Sequence, residues 1–128
     1  MAVDSDDLEV SVAGATDAPG HSIVAEIARE IVRVHAQYYG RGPTKAKAVY
    51  RNDVIVVILE EIFTKSEEVL NDGGEFLQVR AQRQAFQDLM APLLCNVVEQ
   101  ATGRPVRAFL SQVHEQGVAS EVFVLASQ

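Results

Sequence analysis

Three histidines, one cysteine and a short run of carboxylates are the side chains best placed to do chemistry in this chain. His21, His35 and His114 stand apart from one another and from any Cys-x-x-Cys spacing, so no metal centre is expected. His35 falls near the end of a helical pattern and His114 at a turn, places where an imidazole is ordinarily a surface group. Ser66 and Ser111 lack a Gly-x-Ser-x-Gly context and Cys95 has no neighbouring histidine, so no activated nucleophile is expected. Cys95 lies within an apolar helical pattern and reads as an inert thiol. Glu60, Glu61, Glu67 and Glu68 cluster closely enough for general acid–base work, although helix capping explains Glu67 and solvation the others. No catalytic residue and no cofactor is therefore expected. The rival reading is a small enzyme whose site, drawn from Glu60, Glu61, Glu67 or His35, is assembled across a homodimer.

Binding chemistry is better represented. Gly40-Arg41-Gly42-Pro43-Thr44-Lys45 combines glycines, which leave backbone amides accessible, with two positive side chains. The loop suits an anionic small ligand or an acidic partner, with Arg41, Gly42 and Lys45 as contacts. It runs from helix into strand, the reverse of a phosphate-binding loop, so it also reads as a structural turn. Arg80 and Arg83, with Gln84 and Gln87, form a second polar stripe, and Arg29 with Arg33 a third. If the two helical stripes adjoin, they make a basic groove.

The elements that position these residues are legible from periodicity. Residues 1–20 mix acidic, small and turn-forming residues, which predicts a flexible leader, with a single domain over 21–128. Ser22 is a candidate N-cap for a helix that places Ile23, Ile27, Ile31, Val34 and Tyr38 on one face and ends at Gly40. Pro43 forbids its continuation. A hairpin follows, Thr44 to Tyr50 and Val54 to Leu59, joined by Arg51-Asn52-Asp53. Its second strand is apolar throughout, so both faces need cover, and a homodimer interface is the simplest source of it. Thr64 and Glu67 have capping-box spacing and start a short helix that Asn71-Asp72-Gly73-Gly74 breaks. A long helix then carries Phe76, Val79, Phe86, Leu89, Met90, Leu93, Val97 and Ala101 toward the core, with Pro92 predicted to kink or restart it. After Thr102-Gly103 a second hairpin runs from Val106 to Val113 and from Val118 to Ala126. Helix, Gly-Arg and hairpin thus occur twice, a weak internal repeat. The expected fold is α+β, a two-layer sandwich with a four-stranded antiparallel sheet in the order α-ββ-α-α-ββ and helices on one face.

Charge narrows the partners. The first 20 residues hold five of the 18 acids and no base, leaving 13 acids against 11 bases in the rest. A nearly neutral body lacks the basic stripe that nucleic acid requires. The longest apolar run is the six residues from Val54 to Leu59, far short of a span, so no membrane insertion is expected. With no signal-peptide pattern either, the expected location is cytoplasmic.

Four features in order resemble the MpsC-like family, a proposed accessory component of a Na+-translocating, membrane-potential-generating system. They are Gly40-Arg41-Gly42-Pro43 after an amphipathic helix, a hairpin, Ile62-Phe63-Thr64-Lys65-Ser66-Glu67, and Gly74 before a basic helix that ends at Thr102-Gly103. The similarity covers roughly residues 22–126. It departs from the family's pattern at Phe63, where leucine is common, at Gln112, where an aspartate is expected, and at Pro92. The resemblance implies an accessory or regulatory binding protein that meets the cytoplasmic face of a membrane protein complex. A pure protein–protein assembly module is a further alternative.

Overall fold

The computed structural model describes residues 8–14 and 22–127. Elements follow in the order β1 (Glu9–Gly14), α1 (Ile23–Tyr39), β2 (Lys45–Arg51), β3 (Val54–Glu60), α2 (Lys65–Asp72), α3 (Phe76–Thr102), β4 (Val106–His114) and β5 (Val118–Leu125). The Ser22 side chain caps α1 by accepting from the Ala25 amide, and Gly40 closes it in the left-handed conformation at φ 82°. Thr64 and Glu67 form the full capping box at α2. α3 passes through Pro92 as one helix and does not restart there.

The two hairpins form as expected and meet through β3 and β5, but the sheet has five strands in the order β1-β2-β3-β5-β4. It is mixed: β1 runs parallel to β2 while the other pairs are antiparallel. This corrects the expected four-stranded antiparallel sheet. It also moves residues 9–14 out of the expected leader and into the fold; the rest of that leader, residues 1–7 and 15–20, lies outside the described residues. The cause is visible in the alternation Leu8, Val10, Val12 against Glu9 and Ser11, which lets one side of β1 pack beside Ala46 and Ala48.

Both long helices lie on one face of the sheet. Ile55, Val57 and Leu59 from β3, Ala46 and Ala48 from β2, and Ala119, Phe123 and Leu125 from β5 meet Ile27, Ile31, Met90, Leu94 and Val98 in one core. The buried face of α3 is Val79, Arg83, Gln87, Met90, Leu94 and Val98. This differs from the expected apolar stripe, and Leu89 and Leu93 are exposed. The helix is rotated because Arg83 and Gln87 find polar partners inside.

Candidate functional site

The buried polar groups lie where α1, α3 and the sheet converge. Glu67 stands at the third position of α2, where its Oε1 accepts the Thr64 amide at 2.8 Å. The same carboxylate takes Arg83 Nε at 2.7 Å and a terminal guanidinium nitrogen at 2.6 Å. A further Arg83 bond reaches the Ile62 carbonyl at 2.8 Å. Arg83 is only 1% exposed, and its guanidinium carbon lies 3.8 Å from the centre of the Tyr39 ring. Burial raises the Glu67 carboxyl, yet the bonds from Arg83 and Thr64 outweigh it and hold the group below the usual glutamate range. Burial pushes the Tyr39 phenol up to about 12, against the opposing pull of Arg83 and Gln87.

A second cluster sits beside the first. Glu121 of β5, His35 of α1 and Gln87 of α3 are 0%, 1% and 2% exposed. His35 Nδ1 lies 2.8 Å from the Ile31 carbonyl, an acceptor only, so this nitrogen carries hydrogen and donates. His35 Nε2 lies 3.1 Å from Glu121 and 3.2 Å from the Gln87 amide. Only one of the two orientations of that amide satisfies its neighbours. With its nitrogen toward His35, its oxygen would face the acceptor oxygens of Glu121. With the amide turned, its nitrogen donates to Glu121 at 2.9 Å and to Ser111 Oγ at 3.1 Å, and its oxygen accepts from a protonated Nε2. A cavity of about 30 Å³ lined by Arg80, Gln84, Gln87, Ser111, Gln112 and Val113 leads to this cluster.

The sequence-predicted site residues are dispersed rather than gathered. Arg41 donates to the carbonyls of Glu61 and Phe63 at 2.7 and 2.6 Å. It thereby steadies Glu61, which is left-handed at φ 58° and is also bonded through its side chain to Thr44. Arg104, the repeat counterpart of Arg41, ties Asn52, Asp53 and Ala126 together in the same manner. Gly42 is there for space: a β-carbon would meet Ala36 at 3.2 Å and Val32 at 3.3 Å. Lys45 and Arg80 are exposed. Arg83 does not lie on the solvated stripe expected of it, because Glu67 draws it into the interior.

The expected basic groove does not form. A groove of about 450 Å³ between α1 and α3 is lined by Glu26, Glu30 and Arg33 with Leu93 and Asn96, and Arg33 is paired to Glu30 at 2.6 Å. Beside Arg41, a depression of about 550 Å³ mixes Lys65 with Glu61 and Glu68. Neither presents the one-signed charge that would select an anion. Of the groups considered for catalysis, Glu67 is bound to Arg83, and His35 is sealed inside with Glu121. Among the described residues no group of three or more His, Cys, Asp or Glu is arranged to hold a metal ion.

Among the described residues, no helix covers the opposite face of the sheet. Its registered rows place Val49, Val56, Val122 and Leu110 side by side, next to Arg51, Val54, Val124 and Ala108. Val49, Val54 and Leu110 are 41%, 39% and 57% exposed. Toward the other end the rows mix in polar groups, first Lys47, Ile58, Ser120 and Gln112, then Lys45, Glu60, Val118 and His114. The expectation that β3 needs cover on both sides therefore meets a face that the described residues leave open.

An α+β domain with a one-sided helical layer, an open apolar sheet face and two buried polar clusters is the class these observations define. The chain belongs to the MpsC family, described as a Na+-translocating membrane potential-generating system, whose pattern matches residues 20–127. No curated protein and no solved structure matches the chain. No described helix is long and apolar enough to cross a membrane.

Proposed function

We propose that this protein is a non-catalytic, cytoplasmic accessory component of a Na+-translocating, membrane-potential-generating system, and that it acts by docking through its open sheet face. The observation that carries the reading is the apolar block of Val49, Val54, Val56, Val122, Val124 and Leu110 on a face without helices. The family description supplies the system. The capture of Glu67 by Arg83 and the enclosure of His35 favour binding over an acid–base enzyme.

The occupant proposed for this face is a second copy of the chain. The four strands β2, β3, β5 and β4, spaced about 4.8 Å apart and about seven residues long, present roughly 450 Å² in projection. Two copies bury about twice that, close to the lower limit of about 1,000 Å² for a specific interface. A two-fold axis along the strands sets the basic strand β2 against β5 and β4, whose open-face residues Val122, Ser120, Leu110 and Gln112 are uncharged. An axis across the strands would instead oppose Lys45 and Lys47 to Arg51, at a cost from like charges.

Sedimentation velocity of the whole chain and of Leu110→Asp across a concentration series tests this reading. The expected result is reversible dimerisation of the wild type, weakened at least tenfold in the variant, with an unchanged unfolding midpoint. A wild type that stays monomeric at all concentrations, and fails to bind a membrane partner through this face, would refute it.

A further inference from the structure

β4 closes one side of the sheet: it pairs with β5 and, among the described residues, with no other strand. At nine residues it is the longest strand. Its ends are engaged, the Val106 amide by Glu99 at 2.8 Å and the His114 carbonyl by the Gly117 amide at 3.0 Å. Between them, from Arg107 to Val113, the backbone groups directed away from β5 have no hydrogen-bond partner among the described residues. A bare edge invites strand pairing, and proteins ordinarily blunt one with lysine, proline, a bulge or a short length. β4 contains neither lysine nor proline, and its one register shift falls at Val106/Ala108, which leaves the six uncharged residues from Ala108 to Val113 regular.

The two sides of this edge differ. Phe109 stacks on Phe123, and Ser111 and Val113 pair with Glu121 and Ala119, so these three residues lie on the covered face. Arg80 and Gln84 of α3 line the small cavity there together with Ser111, Gln112 and Val113. Arg80 and Arg107 are exposed, and among the described residues neither side chain holds an ion pair or a hydrogen bond. Asp88 is committed to the Gln84 amide at 3.0 Å. On the open face Ala108 and Leu110 offer apolar contact, Leu110 at 57% exposure.

We propose that the β4 edge is a docking site for an extended, acidic segment of a partner protein, which it takes up as a sixth strand. Main-chain bonds to β4 supply the affinity and the alternation of side chains supplies the selection. A strand lying about 4.8 Å beyond β4 sends successive side chains to opposite faces. Those on the helix side come up beside Arg80, where an aspartate or glutamate meets a guanidinium that has no other anion. Those on the open side continue the row of Leu110 and Ala108, where valine or leucine fits. The occupant is therefore a segment of about seven residues in which acidic and apolar side chains alternate. This edge and the face assigned to the second copy are separate surfaces, and either proposal can fail alone.

The test titrates the 15N-labelled full chain with a capped heptapeptide of sequence Thr-Val-Glu-Val-Glu-Val-Thr, and with the same peptide carrying lysine in place of glutamate. The acidic peptide is expected to shift the amides from Arg107 to Val113 and to slow hydrogen exchange at every second one, the signature of a ladder. The lysine peptide should bind at least tenfold more weakly, and Arg80→Glu should reverse that order. Methylating the peptide's backbone nitrogens at the glutamates or at the valines should abolish binding in one case and spare it in the other, because only one set faces β4. No binding of the acidic peptide, shifts that lie away from β4, or binding that survives both methylations would overturn strand addition. Equal affinity for the two peptides would overturn the assignment to an acidic partner. β4 amides that become protected with rising chain concentration, in the absence of peptide, would put a second copy on the edge and overturn the proposed occupant.

Discussion

Glu67→Gln keeps the shape of the side chain and its bond to the Thr64 amide but removes the charge that faces Arg83. The guanidinium, 2% exposed at its side chain, is then left inside the protein with one carbonyl and a neutral amide as partners. Removing one partner of a buried pair costs about 3–5 kcal/mol, because the survivor keeps its desolvation penalty and loses its compensation. Arg83→Met is expected to cost a similar amount by stranding the carboxylate. The double variant should cost less than the two singles together by about 2 kcal/mol or more, since neither charge remains. In urea, with a slope of about 2 kcal/mol/M, each single change lowers the midpoint by about 1.5–2.5 M. The pH dependence has a definite sign. Glu67 is held below its unfolded value, so its contribution is complete above the ordinary glutamate range and is lost as pH falls through the depressed folded value. Glu67→Gln should therefore flatten part of the acid limb of the stability curve. Single variants costing under about 1 kcal/mol, with additive effects, would refute the view that this pair organises the helix–sheet junction.

Two further outcomes are expected. Tyr39 should remain protonated in a spectrophotometric titration until pH about 12; its contribution to stability is in place below the ordinary phenol range and is lost as pH rises through that value, so Tyr39→Phe should flatten the alkaline limb while changing neutral-pH stability by less than about 1 kcal/mol. Gly42→Ala should destabilise by about 1–3 kcal/mol in chemical unfolding, because its β-carbon would press on Val32 and Ala36 across a packed helix end.

The helices, their caps and both hairpins were legible because each rests on a local signal: Ser22, Gly40, Thr64 with Glu67, and Gly103. β1 was missed although Leu8, Val10 and Val12 alternate, since acidic and small residues on both sides obscure five residues of period two. The interior polar groups were missed for a different reason. Arg83 and Gln87 were assigned by their chemistry to a solvated stripe, yet they sit four residues apart in line with Val79 and one turn before Met90. His35 continues the spacing of Ile27 and Ile31, and Glu121 shares the phase of Ala119, Phe123 and Leu125. In each case the periodicity pointed inward while the residue type pointed outward. Partner side chains distant in sequence, Glu67 for Arg83 and His35 for Glu121, decided the outcome, and no local pattern carries that information.

The sheet thus departs from the usual separation of polarity at one place on each face. Its covered face holds a carboxylate, an imidazole and an amide, with an ion pair beside them, while its bare face presents valines and a leucine. Both halves of that arrangement cost stability: buried charges must recover their hydration from a few fixed partners, and exposed aliphatic surface gains nothing until something covers it. An apolar replacement of the inner cluster would pack at least as well, and polar residues on the outer face would dissolve better. The inner cluster lies on β5 and β4, and the adjacent residues Ser120, Val122, Leu110 and Gln112 of the same strands form the outer face. This adjacency places the buried Glu121 cluster and the proposed docking face on a common element, the β4–β5 ladder.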